Sequence, residues 1–342
     1  MKKVIYISYA VCAIAMFALL FYMFDHLRVI ESNTREDNEY TQLQPYRTWV
    51  VKDSGAPIGV SKVFQFKVPA IGKGTKTLAF YSHHQDVVIY KENKVIYQRR
   101  VYQGNPFGRT SGQGWNDLTL YSEDSGKILT VVMSPEYSTV QDIDVTFYYG
   151  SKIKIWLHDV IRQLAPSILS LIAIVMGMIF VVFILVNIRN KKINRNLLFM
   201  GIFSICIGVW KITDAGILQL LFGNNILFSY IPFVSLLLCV IPFVLFMRTL
   251  FTDRESKGWY IVCLASLAVM VFSFVVQILN KGDMRETLPF NHAVMGVMAL
   301  VTVVQVVRQW KKQGMNRKLK LIFCCFLTCI VGLIGDTITF YT

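Results

Sequence analysis

The apolar segments of this chain are distributed unevenly along it. One of them, residues 4–24, opens the sequence, a long polar segment follows, and six more apolar segments come almost back to back. A helix that spans a bilayer needs roughly 20 mostly apolar residues. The layout therefore predicts a membrane protein with a transmembrane anchor in residues 1–24, a folded domain outside the membrane and an α-helical bundle. The later candidate spans are 166–188, 197–215, 226–251, 259–279, 290–307 and 319–340.

Composition and charge support this assignment. The chain is 54% hydrophobic and 16% charged, and its mean hydropathy of +0.48 exceeds that of ordinary soluble domains. The net charge of +14 does not indicate nucleic-acid binding, because the basic residues gather in alternate connections between apolar segments. This pattern predicts a multi-pass protein with a cytoplasmic N-terminus, with residues 25–160 outside the cytoplasm and the lipid bilayer as its partner. The basic connections contain Lys2 and Lys3; Arg189, Lys191, Lys192 and Arg195; Arg248, Arg254 and Lys257; and Arg308, Lys311, Lys312, Arg317, Lys318 and Lys320.

Cysteine usage favours a bacterial plasma membrane. All seven cysteines lie in apolar segments, so the polar domain has none, whereas small secreted domains are often stapled by disulfides. Cys324, Cys325 and Cys329 lie within about two helical turns, but no nearby histidine or acidic residue completes a ligand set. We therefore expect no metal site and no cofactor. A cleaved signal peptide is the alternative for the first segment, although no small-x-small cleavage site precedes the acidic stretch that follows.

The polar segment reads as β-strands. Residues 25–46 are acidic and indicate a linker, and between 47 and 150 segments rich in Val, Ile, Thr, Tyr and Phe alternate with turn residues. This alternation predicts a β-sandwich, and a jelly roll is the expected form. Glu92 and Asn93 predict a tight hairpin between two strands. The predicted strands are 48–52, 62–68, 76–82, 86–91, 94–99, 117–122, 127–133 and 142–149.

Several pieces of this domain resemble a bacterial ectodomain pattern, in which a hairpin is followed by a Gly-rich loop, an aromatic residue and a Ser-Pro-Tyr turn. The pieces are FYSHHQDVVIY (80–90), NKVIY (93–97), FG (107–108), GWN (114–116) and SPEY (134–137).

The chain thereby resembles the bacterial seven-transmembrane receptors with diverse intracellular signalling modules. The resemblance implies a galactose-binding-like jelly roll ahead of a multi-helix membrane region and, in many members, a GGDEF diguanylate cyclase output domain. Lys94 stands where the hairpin pattern often has glycine, which bears on the turn type. The family has seven helices after its ectodomain, whereas residues 166–342 contain six candidates, so we expect the chain to lack a final helix and an output domain.

The segment 104–115 is a candidate ligand site. It is rich in glycine and contains Asn105, Arg109 and Trp115. An aromatic face with directional donors suits a small saccharide or a carboxylate. The alternative is a structural crossing loop with Trp115 in the core. His83 and His84 do not predict a metal pair, because adjacent strand residues point to opposite faces, and we expect an exposed loop pair.

Two further features concern the membrane region. Residues 151–165 are amphipathic and predict either a lever between domain and bundle or a passive interfacial anchor. Lys211, Asp214 and Asp336 are ionisable residues inside candidate spans, which are functional candidates by default because burying charge in lipid is costly. Snorkelling to the outer headgroups is the alternative.

The sequence favours a receptor over an enzyme. It contains no phosphate loop, no Gly-x-Ser-x-Gly, no His-Glu-x-x-His and no Gly-Gly-(Asp/Glu)-Glu-Phe run, so we expect no catalytic residue in this chain. The first hypothesis is a sensor that relays binding outside the cell through the bundle to a cytoplasmic output. The second is a transporter or a transporter-linked binding protein. The oligomeric state is left open, with a homodimer as one alternative.

Overall fold

The computed structural model describes residues 40–101, 109–187, 195–222, 225–251 and 257–341. The predicted anchor, 4–24, lies outside this part of the chain and stays a prediction. The strands are β1 Tyr40–Gln42, β2 Arg47–Lys52, β3 Val60–Lys67, β4 Lys76–His83, β5 Gln85–Lys91, β6 Lys94–Arg99, β7 Gln113–Leu120, β8 Ile128–Pro135 and β9 Phe147–Gly150. The helices are α1 Lys152–Val186, α2 Arg195–Asp214, α3 Ile217–Phe222, α4 Asn225–Leu250, α5 Lys257–Ile278, α6 Met284–Gln313 and α7 Arg317–Tyr341.

The strands form two antiparallel sheets, which confirms the predicted two-sheet architecture. One sheet has the order β1-β9-β4-β7 and the other β2-β3-β8-β5-β6. We call the first the bundle-facing sheet, because β4, β7 and β9 contact the helices. All eight predicted strands are present, with ends that differ by a few residues. β1 is an addition that falls within the predicted linker, and Tyr40 pairs with Gly150 at the far end of the domain.

The sandwich core lies between the two sheets and is built by alternating strand positions. Phe147 of β9 is its centre, with ring centroids 4.6–5.1 Å from those of Phe64, Phe66 and Phe80. The predicted hairpin is confirmed, because Glu92 and Asn93 have φ values of 48° and 71°. Positive φ at both central residues is the requirement of a type I′ turn.

The helices carry the composition expected of a membrane region. Among the described residues, five helices are long and apolar enough to cross a membrane, and the apolar stretch in α7, Leu319–Gly332, is shorter. Large apolar side chains also cover outward faces, such as Val186, which is 72% exposed, and Leu264, which is 69% exposed. A helix that is apolar on its outward face suits lipid rather than water.

The predicted juxtamembrane segment 151–165 and the following span form one continuous 35-residue helix, α1. Ser151 alone separates β9 from this helix. Pro166, the first residue of the predicted span 166–188, lies inside α1, where its ring removes one intrahelical hydrogen bond. The apolar pattern continues through the proline, so packing and the lipid-facing composition outweigh the local break. A strand at the centre of the bundle-facing sheet therefore passes almost directly into the first long helix.

α1 and α2 pack closely through glycines. A Cβ atom added to Gly177 would lie 2.6 Å from the carbonyl oxygen of Gly201, and one added to Gly208 would lie 2.6 Å from that of Ser170. Small residues at such positions let helix backbones approach. α2 in turn packs on α4, and α4 contacts α5 and α6.

Candidate functional site

A cavity of about 960 Å³ lies between the bundle-facing sheet and the helices. We call it the junction cavity. Its sheet wall includes three aromatic residues, Tyr81 on β4, Trp115 on β7 and Tyr148 on β9. The Trp115 ring centroid is 5.8 Å from that of Tyr81 and 5.9 Å from that of Tyr148. These residues alternate with the core-facing Phe80 and Phe147, so they project from the opposite face of the same strands.

The segment before β7 is held in place by a partly buried arginine. Arg99, at the end of β6, donates Nη2 to the carbonyl of Ser111 at 3.0 Å and Nη1 to that of Gly114 at 3.2 Å. Gly112 and Gly114 have positive φ values of 78° and 155°, a region that suits glycine. Arg99 and the two glycines thus set the approach to β7, and with it the position of Trp115.

The helical wall is polar at the end of the cavity that faces the sandwich. It contains Asp159 and Arg162 of α1, Lys211 and Asp214 of α2, and Arg285 of α6. The indole Nε1 of Trp115 donates to Oδ2 of Asp159 at 2.9 Å. This bond joins the sheet wall directly to the first long helix.

The deeper part of the cavity is apolar and extends into the bundle. Counting from Pro232 to Phe243 along α4 at 1.5 Å per residue gives a depth of about 16 Å, and from Arg285 to Ala299 along α6 about 21 Å. The deeper lining residues are Phe203, Ile207, Pro232, Phe233, Leu236, Cys239, Val240, Phe243, Met295, Met298, Ala299, Phe326, Ile330 and Gly332.

The structure brings together residues that the sequence placed in two separate candidate sites. Trp115, Lys211 and Asp214 line the same cavity. Trp115 lies on the outward face of β7 rather than in the sandwich core, which the sequence had offered as the alternative. Asn105 lies outside the described residues. Asp336 belongs to α7, one turn beyond the cavity-lining Gly332, but its side chain is outside the described part, so its role stays a prediction.

Arg109 lies at a docking contact between the sandwich and the bundle. Its Nη2 donates to the carbonyl of Asn280 at 3.0 Å, and its backbone N–H donates to Oδ1 of Asp283 at 3.3 Å. Both acceptors lie in or next to the connection between α5 and α6. The structure thus shows Arg109 holding two parts of the chain together, and its predicted ligand contact remains untested.

Asp283 is the residue that the sequence reasoning missed. It precedes α6 and forms a capping box with Glu286, and it is only 1% exposed. Its carboxylate accepts hydrogen bonds from the hydroxyl of Tyr137, from the hydroxyl of Tyr230 at 3.2 Å and from Nε2 of Gln277 at 3.0 Å. The Asp-x-x-Glu spacing signals a helix start, but no local pattern reveals the three donors. Asp283 therefore connects the sandwich with α4, α5 and α6.

The expectation of an exposed histidine pair is wrong. His84 is 1% exposed and has a φ of 50°, and its Nδ1 is hydrogen-bonded to Oγ1 of Thr110 at 3.1 Å. His83 instead lines the junction cavity, where burial, and secondarily Arg285, lowers its pKa to about 4. The two side chains face different surroundings, and among the described residues no group of three or more His, Cys, Asp and Glu is placed to hold a metal ion.

Burial also shifts acidic groups of the sandwich. The pKa of Glu136 is raised to about 7, first by burial and then by the negative charges of Asp86 and Asp283. The pKa of Tyr81 is raised by burial and by nearby Asp214, so its phenol stays neutral and remains a donor. Its hydroxyl donates to Oε1 of Gln219 at 3.4 Å. The polar end of the cavity therefore combines neutral aromatic donors with side chains of both charges.

Comparison with known proteins adds no assignment to this geometry: no protein-family model matches the chain, and neither does any curated protein.

Proposed function

We propose that this chain is the sensing module of a bacterial plasma-membrane receptor, which binds a small ligand in the junction cavity and relays binding through the helices. The observation that carries the proposal is the shared construction of the cavity, with one wall from the sandwich and the others from α1, α2, α4, α6 and α7. A ligand that touches both parts favours the arrangement in which both walls fit it. Such unequal binding is what shifts a two-state equilibrium.

The connections between the two parts provide the relay. β9 leads through Ser151 into α1, and Asp117 of β7 forms an ion pair with Lys152 in the first turn of that helix. About two turns further along the same face, Trp115 contacts Asp159. In this proposal, a displacement of the bundle-facing sheet moves the sandwich end of α1, and the continuous helix carries the movement to its far end near Val186.

The family resemblance extends the proposal to the output of the receptor. The strand orders β1-β9-β4-β7 and β3-β8-β5-β6, with β2 added at one edge, support a jelly roll, because consecutive strands repeatedly cross between the sheets. A jelly roll ahead of a helical membrane region fits the resemblance to seven-transmembrane receptors with diverse signalling modules. In this proposal the output is a cytoplasmic module, such as a diguanylate cyclase, and the chain itself is not an enzyme.

The test measures whether the cavity wall and the far helix ends are coupled. Trp115→Phe keeps an aromatic ring but removes the donor to Asp159. In the full chain in lipid nanodiscs, we expect altered hydrogen–deuterium exchange at residues 180–187, the end of α1 distant from the sandwich, and at residues 313–319, which connect α6 to α7. Trp49→Phe is the matched control, because Trp49 lies on β2 in the other sheet and stacks with Arg47.

Coupling through this wall predicts changed hydrogen–deuterium exchange at both distant segments in Trp115→Phe and unchanged exchange there in Trp49→Phe. If Trp115→Phe raises exchange within residues 109–120 while both distant ends exchange as in the wild type, the sandwich and bundle are not coupled through this wall, and the sensor proposal fails.

A transporter is the second candidate, because Lys211 and Asp214 line a cavity that enters the bundle. Its test is uptake of radiolabelled amino acids and sugars into proteoliposomes that contain the full chain. Flux that is lost in Asp214→Asn would establish the transporter. Absence of flux, together with coupled exchange at the helix ends, favours the sensor.

A further inference from the structure

The junction cavity is polar at one end and apolar at the other. All of its carboxylates, lysines and arginines lie at the sandwich end, on the sheet loops, the first turns of α1, the last turn of α2 and the first turn of α6. These residues are Asp144, Asp159, Arg162, Lys211, Asp214 and Arg285. Beyond His292 along α6, in the direction away from the sandwich, the helix contributes Met295, Met298 and Ala299 to the cavity lining.

The charges at the polar end are balanced. Three carboxylates face one lysine and two arginines among the lining residues. A ligand group of one charge would meet repulsion as well as attraction there. A head group that carries both charges can place each of them near an opposite partner, which is the arrangement that complementarity favours.

The apolar end requires an apolar occupant. On α4 the lining residues lie at positions 232, 233, 236, 239, 240 and 243, which is one face of a helix, so a continuous apolar wall extends about 16 Å into the bundle. A free saccharide or a small carboxylate would fill only the polar end and leave apolar surface without a partner. Filling it with hydrocarbon buries that apolar surface, which is favourable because it removes the surface from water.

We propose that the junction cavity binds a single-chain amphiphile with a zwitterionic head group. The head group lies against Trp115 and the balanced charges, and the chain points toward Phe243. The volume of about 960 Å³ is at the upper end of the roughly 300–1,000 Å³ typical of ligand pockets, which favours one chain over two. This inference rests on the proposed function, because it names the ligand class that the sensor recognises.

The test uses palmitoyl lysophosphatidylethanolamine as the probe and the full chain in nanodiscs. Equilibrium binding of radiolabelled probe is measured against empty discs, which report partition into lipid alone. We expect saturable binding above that background. Phosphoethanolamine without a chain and dodecyl maltoside, which has a chain but an uncharged head group, should compete at least tenfold more weakly than unlabelled probe.

The blocking variant is Gly332→Leu. Gly332 lines the cavity, and a Cβ atom there meets nothing within 4 Å, so the larger side chain extends into open space. Gly296→Leu is the matched control, because Gly296 is a helical glycine with the same open surroundings that does not line the cavity. We expect more than a tenfold loss of affinity in Gly332→Leu and less than a twofold change in Gly296→Leu.

Ala299→Leu provides a second block from α6, should Gly332→Leu fail to fold. Equal affinity in the wild type and in a folded blocking variant overturns the site. Equal competition by phosphoethanolamine overturns the amphiphile, and equal competition by dodecyl maltoside overturns the zwitterionic head group. The exchange experiment on Trp115→Phe uses no added ligand, so it tests the sensor separately from this ligand assignment.

Discussion

Tyr137, which follows β8 in the sandwich, donates its hydroxyl to the buried carboxylate of Asp283, the residue that caps α6. The same carboxylate accepts bonds from Tyr230 and Gln277. A buried carboxylate is tolerated only when its oxygens are hydrogen-bonded. The contact between sandwich and bundle therefore supplies part of the solvation that this helix start requires, and docking and helix capping stabilise each other.

Tyr137→Phe removes one of these donors and keeps the ring. A hydrogen bond to a charged group contributes about 1.5–3 kcal/mol, so we expect the free energy of unfolding to fall by about that amount. Denaturation of the full chain in mixed micelles, monitored by near-UV circular dichroism, measures the change.

Tyr46→Phe is the control for this measurement. Its hydroxyl also donates to a side chain, Oε1 of Gln65 at 3.0 Å, but Tyr46 is 55% exposed. Surface substitutions usually change stability by less than about 0.5 kcal/mol. Equal losses in Tyr46→Phe and Tyr137→Phe would contradict the special role of the Asp283 contact.

Glu136→Gln should change how stability depends on pH. The folded-state pKa of Glu136 is raised from 4.5 to about 7, so its contribution is fully present below pH 4.5 and is lost as pH rises through about 7. Because Glu136 is only partly buried, solvent screens part of this effect, so the loss is on the order of 1 kcal/mol rather than the full 1.36 kcal/mol per pKa unit. Relative to Glu136→Gln, the wild type should lose stability between pH 4.5 and 8, as measured by thermal midpoints in nanodiscs.

His83 provides the opposite trend in the same titration. Its pKa is lowered from 6.5 to about 4, so its contribution is present above pH 6.5 and is lost as pH falls through about 4. His83→Gln should therefore reduce the loss of stability below pH 6.5 and leave the dependence of stability on pH above 6.5 unchanged. A weaker dependence of stability on pH above 6.5 in His83→Gln would refute this assignment of the two groups.

Gly177→Ala should loosen the packing of α1 on α2. The new methyl group would lie 2.6 Å from the carbonyl oxygen of Gly201, and overpacking of this kind typically costs about 1–3 kcal/mol. Gly296→Ala is the comparison, because its methyl group meets nothing within 4 Å and alanine is the better helix former by about 1 kcal/mol. The thermal midpoint should fall in the first variant and hold or rise in the second.

The predicted topology has a test at the two ends of α6. Lys281 and Lys312 are both exposed and flank this helix at opposite ends. In intact cells and a cysteine-free background, a membrane-impermeant thiol reagent should label Lys281→Cys and spare Lys312→Cys until the membrane is permeabilised. Labelling of Lys312→Cys in intact cells would contradict the predicted orientation and would place the sandwich in the cytoplasm.

The helices and strands of this protein are predictable from local sequence patterns. Eight strands, the Glu92-Asn93 hairpin and the apolar helices follow from periodicity, turn chemistry and segment length, which are local properties of the chain. Short β1 carried no such signal, because three residues are too few to show alternation, and it is fixed by its pairing with β9.

The candidate site, in contrast, depends on how the sandwich packs against the helices. Trp115 lies on a strand and Lys211 and Asp214 lie on a helix about a hundred residues later, and they share one cavity because the bundle-facing sheet docks on the helix ends. The hydrogen bonds to Asp283 also depend on tertiary packing, since they come from four separate segments, which contain Arg109, Tyr137, Tyr230 and Gln277. Contacts between separately patterned parts leave no period in the sequence, because each partner satisfies its own local pattern whether or not the other is present.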